Sequence, residues 1–446
     1  MLTEREEAYR VLLLWQKDGA FIKESGLSPF AMEIALGVCR RHLYLEYFIK
    51  TLTKRMPALE VKIVLEMGLF QLFFMEVPDY AAINSSVELA RSANLGNGAA
   101  SLVNAVLRAA RKSGAPALPP QRIRRVSIEN SVPEWIVRRW FDIYGGDVAE
   151  SMARATLERP TEWLRVNLRK TSAPVIVQRL GIAGASILYD RFVELPHDAG
   201  VKAILSSPEF VEGQISFQNP SAYEVVKLLD VKPGMSVWDA CAAPGGKTAL
   251  LAEMDPSLDI LATDSSEHRL EKMKDLMDRL GFTNVKTACV DALAPHLSPL
   301  EHGASSPEPR LSSPEQPLSS LVSVGELAEP RLSSKFDRIL LDVPCSNMGV
   351  VARRPESVYR LTQETLKELA DLQLRILESA ARFLKPSGRL VYATCSPDPM
   401  ETTQVVAKFL KEHPEFAKVG EPVLPGKRDP RFDGFFAQAI ERVGEG

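Results

Sequence analysis

Three rhythms along this 446-residue chain predict a multidomain protein: an all-α bundle, a small α/β region, and a larger α/β domain on a mostly parallel sheet. Residues 1–145 repeat apolar side chains at spacings of three and four, the period of a helix face. Residues 146–213 mix helix-like and strand-like runs. From Gln214, short apolar runs alternate with amphipathic stretches, as strands do with crossover helices. With 45% hydrophobic and 25% charged residues, the chain has material for about three cores of roughly 150 residues each.

The composition excludes several classes. A net charge of −3 is not that of a polybasic nucleic-acid binder. Five cysteines, none in paired metal-ligand spacing, make neither a disulfide scaffold nor a zinc site, so no metal is expected. The start, MLTEREEAYRVLLLWQK, is acidic where a secretory signal is basic, and no apolar run reaches 18 residues. The expectation is a soluble cytoplasmic protein.

In the first domain, EREEAYRVLLLWQ, PFAMEIALGVCRRHLYLEYFIKTL and ALEVKIVLEMGLFQLFFM read as helices separated at Gly26 to Pro29, Pro57 and Pro78. Its net charge is +4 against −7 for the rest. The excess falls at Arg40 and Arg41, Arg108, Arg111 and Lys112, Arg122, Arg124 and Arg125, and Arg138 and Arg139. Such clusters suit either phosphate contact with a folded RNA or an ordinary solvated face. VPEWIVRRWFDIYG starts a further helix at its proline, and a boundary is placed near residue 145. Beyond it, WLRVNL and FVEL read as strands around the helix-like SAPVIVQRLGIAG.

In the last domain, VKPGMSVWD, DILATDSS, TNVKTACVDA, FDRILLDVPC and GRLVYATCS read as five strands. Ligands of such sheets lie beyond the carboxyl ends of the strands. There Asp239 and Cys241 precede Pro244, Gly245 and Gly246, which allow close backbone approach. Asp264 ends the second strand, where a carboxylate can accept ribose hydroxyls, and Asp291 ends the third, near an adenine edge. The loop lacks GxGxxG, and APGGKT is too short for a phosphate-binding GxxxxGK[ST] loop. The layout suits S-adenosylmethionine, with other nucleotide chemistry and an inert α/β domain as alternatives.

Asp342, Pro344 and Cys345 follow the fourth strand; Cys395 and Ser396 follow the fifth. If those strands are neighbours, both thiols open into one cavity. Carbon 5 of cytosine is a poor nucleophile until a thiolate adds to carbon 6, so one cysteine would attack and the other assist proton removal or release. Asp342 could hydrogen-bond the cytosine and stabilise the adduct. An unpaired or incompletely assembled RNA is the easier substrate, because a paired base must first be extruded.

DACAAPGGKT (239–248), DVPCSNMG (342–349), VYATCS (391–396), DGFF (433–436) and VNAVLR (103–108) together resemble a known family. It is the bacterial 16S ribosomal RNA cytosine-5 methyltransferases in which a NusB-like helical domain precedes a Rossmann-like catalytic domain. The resemblance implies Cys395 as nucleophile, Cys345 in product release, and Asp342 and Lys247 at the active site. It implies Asp264 at the cofactor's ribose and Asp291 at its adenine; cofactor contacts are expected from Cys241, Ala242, Ala243, Pro244, Gly245, Gly246, Lys247, Asp264, Arg269, Asp291 and Asp342. RNA contacts are expected among Arg40, Arg41, Arg108, Arg111, Lys112, Arg124 and Arg125. It further implies 16S rRNA as partner; the RNA is expected free or partly assembled, the protein a monomer, with neither DNA nor membrane as partner. Domains are expected at 1–145, 146–213 (substrate docking) and 214–446.

The chain departs from the family pattern at Val343, at Asn347, where glycine is common, and at Thr402 after Glu401; FQNPSA (217–222) matches only partly. Residues 298–334 hold 10 Ser and 6 Pro in 37 and repeat EPRLSS, a composition expected to form a flexible insertion. A tRNA cytosine-5 methyltransferase and an inactive RNA-binding assembly scaffold are the competing functions.

Overall fold

The computed structural model describes residues 3–22, 26–96, 98–182, 184–196, 199–295, 335–424 and 431–443. The expected insertion at 298–334 lies outside them. The chain divides into two compact units. One comprises residues 1–161 with 346–367 and 395–398; the other comprises 162–345, 368–394 and 399–446.

Among its described residues the first unit contains helices α1 (Glu4–Asp18), α2 (Pro29–Arg40), α3 (His42–Leu52), α4 (Leu59–Phe74), α5 (Asp79–Ser92), α6 (Ala99–Ser113), α7 (Arg122–Asn130), α8 (Glu134–Tyr144) and α9 (Gly146–Ala155). The expected boundary at residue 145 falls at the link between α8 and α9, and the helical unit continues to Thr161. Thr3 opens α1 with a reciprocal cap: its Oγ1 accepts from the Glu6 amide and its amide donates to the Glu6 carboxylate. Helix α4 is the bundle's central helix and is buried on most of its sides, with Ile63, Val64, Leu65 and Leu69 fully buried and the polar Glu66 and Gln71 enclosed with them. At the crossing of α2 and α4, Gly37 faces the ring of Phe70.

The second unit opens with a four-stranded antiparallel sheet, β1 (Trp163–Val166), β2 (Ile187–Leu188), β3 (Phe192–Glu194) and β4 (Ile215–Phe217), in the order β2-β3-β1-β4. Helix α10 (Ala173–Arg179) supplies Ala173 and Ile176 to its core; α11 (Val201–Leu205) and α12 (Pro208–Val211) lead into β4. That last strand lies past residue 213, so this sheet borrows its edge from the expected catalytic domain.

The larger domain follows as α13 (Ser221–Lys227), β5 (Ser236–Asp239), α14 (Gly246–Met254), β6 (Asp259–Asp264), α15 (Glu267–Leu280), β7 (Val285–Cys289), β8 (Phe336–Asp342), α16 (Gln363–Ala381), β9 (Leu384–Thr394), α17 (Thr403–Glu412), β10 (Phe416–Val423) and β11 (Phe436–Arg442). Its seven strands are ordered β10-β11-β9-β8-β5-β6-β7; β7, β6, β5, β8 and β9 are parallel, and β11 and β10 join antiparallel. The chain winds outward from β5 to β7, then returns to β8 on the other side of β5, which makes β5/β8 the switch point where such sheets bind ligands. Alternation along the strands covers both faces. Val237, Leu340, Val391 and Ala393 pack with α13, α14 and α15; Trp238, Ile339, Leu341 and Tyr392 pack with α16 and α17. No helix among the described residues is long and apolar enough to cross a membrane.

A Cβ added at Gly37 would lie 1.9 Å from Phe70 Cζ. Gly37→Ala gains about 1 kcal/mol of helix propensity but costs roughly 1–3 kcal/mol in overpacking. Denaturant titration should therefore show a lower unfolding midpoint; a raised one would mean that Phe70 moves aside freely.

Candidate active site

The loop after β5 is shaped by tight contacts. Gly245 has φ +96°, and a Cβ there would meet Met273 Cγ at 2.7 Å, so only glycine fits the turn into α14. The Ala243–Pro244 peptide is cis. The Ala242 amide donates to the Thr263 carbonyl at 2.8 Å, and the Ala243 amide to Asp264 Oδ2 at 3.3 Å. The loop is thereby tied to the end of β6.

This loop forms one wall of a cavity of about 200 Å³ beyond the ends of β5 and β8. Of the expected residues, Cys241, Ala242, Ala243, Pro244, Gly246, Lys247 and Asp342 line it. Gln218, Asn219, Ser221, Asp239, Asp433 and Phe435 add to its polar and aromatic surface. Asp264 and Arg269 lie behind the Ala243 amide: Asp264 Oδ1 accepts from Arg269 at 2.6 Å and from the Ser266 amide at 3.0 Å. Asp291 is exposed past β7, its carboxylate accepting from the Leu293 amide at 2.9 Å.

Lys247 Nζ pairs with Asp342 Oδ2 at 2.6 Å and lies 4.3 Å from the centre of the Phe435 ring. Asp239 is fully buried. Its Oδ2 accepts from Thr248 Oγ1 at 2.7 Å, while Oδ1 has no partner among the described residues. Burial pushes its carboxyl from the ordinary 3.8 up to about 7; the Thr248 hydrogen bond opposes the shift and Asp342 adds to it. Gln218 Oε1 is a second buried acceptor with no partner among the described residues. Two unsatisfied acceptors in a carboxylate-lined cavity suit a cation rich in N–H and O–H donors, which S-adenosylmethionine is.

The thiols differ in setting. Burial pushes Cys39 and Cys241 up, away from the reactive thiolate. Cys345 follows Pro344, whose carbonyl accepts from the buried Gln373 amide at 3.0 Å; Gln373 also donates to Glu401 at 2.9 Å. Cys395 donates its thiol hydrogen to Asn347 Oδ1 at 3.0 Å, and its carbonyl accepts from Gly349 N at 2.9 Å. Asn347 adopts φ +60°, a conformation asparagine tolerates better than most residues.

Family models match three stretches: NusB family over residues 3–112, the RsmF/B-like ferredoxin-like domain over 132–194, and 16S rRNA methyltransferase RsmB/F over 226–306 and 310–428. A Bacillus subtilis protein named "Probable ribosomal RNA small subunit methyltransferase B" is 31% identical over 467 residues, covering 99% of this chain and 96% of its own. The chain belongs to the RsmB/F family of 16S rRNA methyltransferases. Two crystal structures share the fold. PH0851 covers 99% of both chains at TM-score 0.74 and 22% identity. A methyltransferase homolog protein from Pyrococcus horikoshii covers 73% of this chain and all of its own, at TM-score 0.55 and 27% identity.

As an RsmB/F-family enzyme, the protein transfers methyl groups from S-adenosylmethionine to carbon 5 of cytosine in 16S rRNA. The basic residues flagged in its NusB-like region part company in the structure. Arg40 turns inward to the Ala352 carbonyl at 3.1 Å, Arg41 stacks 4.2 Å from the Phe74 ring centre, and Arg111 pairs with Asp79. Arg108, Lys112, Arg124 and Arg125 are exposed. Sequence reasoning missed Gln218, Asn219 and Phe435 as cavity residues. The imperfect FQNPSA match held the signal for the first two, since Asn219 Oδ1 accepts from the Asp433 amide at 3.2 Å and ties that segment to DGFF. It also read Asn347 only as a change of loop shape.

If S-adenosylmethionine binds in this cavity, its sulfonium favours the Asp239 carboxylate, so below about pH 7 binding must also release a proton. Calorimetry from pH 7 to 5.5 should show S-adenosylmethionine affinity falling by up to about tenfold per unit. Asp239→Asn should bind more weakly and flatten the slope; a flat wild-type profile would exclude Asp239 from the cofactor's field.

Proposed function

We propose that Cys395 is the covalent nucleophile and Cys345 the thiol that closes the cycle, on a cytosine held at Asp342 and Lys247. One observation carries the reading: β8 and β9 are adjacent parallel strands with Asp342 opposite Ala393. Cys345 follows three residues past the first of these positions and Cys395 two past the second.

The Cys395 thiolate adds to carbon 6 of the cytosine. Asp342 accepts from the base, and the Lys247 ammonium supplies positive charge where electron density builds in the ring. S-adenosylmethionine supplies the methyl group that carbon 5 then takes. Cys345 accepts the carbon-5 proton, which restores the aromatic ring and expels Cys395 as thiolate. Asp239, Gln218 and the Gly245–Gly246 turn hold the cofactor, with Asp291 toward its adenine. Three of roughly four acceptor positions on Asp264 are already used by Ala243, Ser266 and Arg269. Recognition of both ribose hydroxyls therefore requires the exposed Arg269 side chain to move away. The 16S rRNA is taken free or partly assembled, by a monomer, with Arg108, Lys112, Arg124 and Arg125 touching its phosphates.

Labelled methyl transfer to protein-free 16S rRNA, assembled small subunit and tRNA tests the reading. Cys395→Ala should lower the rate on the order of 10³-fold or more, and Cys345→Ala should accumulate a protein–RNA adduct on denaturing gels. Preferred labelling of tRNA, or turnover by Cys395→Ala, would overturn it.

Reversing Lys112, Arg124 and Arg125 to Glu should raise KM for rRNA at least about tenfold and flatten its salt dependence. Cofactor affinity should not change. An unaltered salt slope would remove this face from the RNA path.

A further inference from the structure

Contacts within the first unit converge on the four residues that begin with Cys395. Asp398 is fully buried, and both its carboxylate oxygens accept from the guanidinium of Arg139 on α8, one from Nη2 at 2.7 Å and the other from Nε. The Tyr144 hydroxyl, in the last turn of that helix, donates to the Pro397 carbonyl. Burial, then Asp398, pushes this phenol up to about 12, so it remains a donor. The Asp398 amide donates to Ser396 Oγ at 3.1 Å, and Ser396 Oγ lies 3.3 Å from Ser346 Oγ, with both serines buried.

Two features direct this bonding toward the thiol. A fork of two N–H groups on one carboxylate fixes direction as well as distance, which an ammonium cannot do. Pro397, which lies between Asp398 and Cys395, has its φ locked by its ring, so fewer free torsions separate the clamped carboxylate from the thiol. Arg138, the next residue on α8, instead pairs at the surface with Glu134.

We propose that Arg139, seconded by Tyr144, is the positioning residue for Cys395, so that α8 of the helical domain aims the nucleophile of methyl transfer. The inference rests on Cys395 being that nucleophile. Arg139 acts through Asp398 and does not touch the RNA.

Steady-state methyl transfer to 16S rRNA by the full chain tests this with Arg139→Ala, Arg139→Lys, Tyr144→Phe, Asp398→Asn and Cys395→Ala. Arg139→Ala should lower kcat about 30- to 100-fold, leaving KM for RNA and cofactor affinity within about threefold of wild type. Arg139→Lys should recover part of the loss. Tyr144→Phe, which keeps the ring, should lose about three- to tenfold in kcat. Adding Asp398→Asn to Arg139→Ala should cost little more than the worse single change, because both break one pair. Unchanged kcat in Arg139→Ala and Tyr144→Phe, or a loss confined to KM for RNA, overturns the proposal. If Arg139→Ala does not fold, Arg139→Lys and Tyr144→Phe decide by the same criteria. Turnover by Cys395→Ala would mean that the nucleophile assignment has failed; an inactive Cys395→Ala beside an unaffected Arg139 series would mean that only the positioning role has failed.

Discussion

The parallel pairing of β8 with β5 on one side and β9 on the other is the constraint on which the site depends. Parallel neighbours lie about 4.8 Å apart, so three consecutive strand ends deliver Asp239, Asp342 and the chain leading to Cys395 to one edge of the sheet. The switch point opens that edge, because the connections from β5 and β8 leave toward different faces. Lys247, in the first turn of α14, spans the opening to Asp342.

The site is organised at a cost to the folded state. Asp239 has a folded value of about 7 against an ordinary 3.8, so its contribution to stability is full below about pH 4 and is lost as pH rises toward 7. A group that weakens the fold near neutrality, beside an acceptor such as Gln218 Oε1 with no partner among the described residues, marks a surface shaped for a ligand. Glu253, packed under the small sheet in the same unit, is buried as well, but there Arg191 at 3.2 Å and Arg165 at 3.8 Å oppose the upward push of burial on its carboxyl without cancelling it.

The helices, the five parallel strands and the strand-end residues were legible because periodicity and strand-terminal polarity are local signals. The pair β10 and β11 was not, since FAKVGEPV and FAQAIER lack a continuous apolar run; their burial comes from pairing at the sheet edge. Charge counts could not separate Arg40, turned inward to Ala352, from Lys112 on the surface, because the two differ only in what the fold places around them. Asp398 and Arg139 are 259 residues apart and carry no motif. The Asn347 departure was visible as a residue but not as an acceptor for the Cys395 thiol.

Strand β11 enters the sheet out of order: it is the last strand among the described residues, yet it lies between β10 and β9. Until Phe436–Arg442 is synthesised, the edge of β9 facing it has no partner, and an unpaired β edge is a template for aggregation. Asp433 and Phe435, immediately upstream, also line the cavity beyond the ends of β5 and β8. A nascent chain thus carries both cysteines before it can complete the cavity or pair the open edge of β9, so the last segment to be made closes both at once.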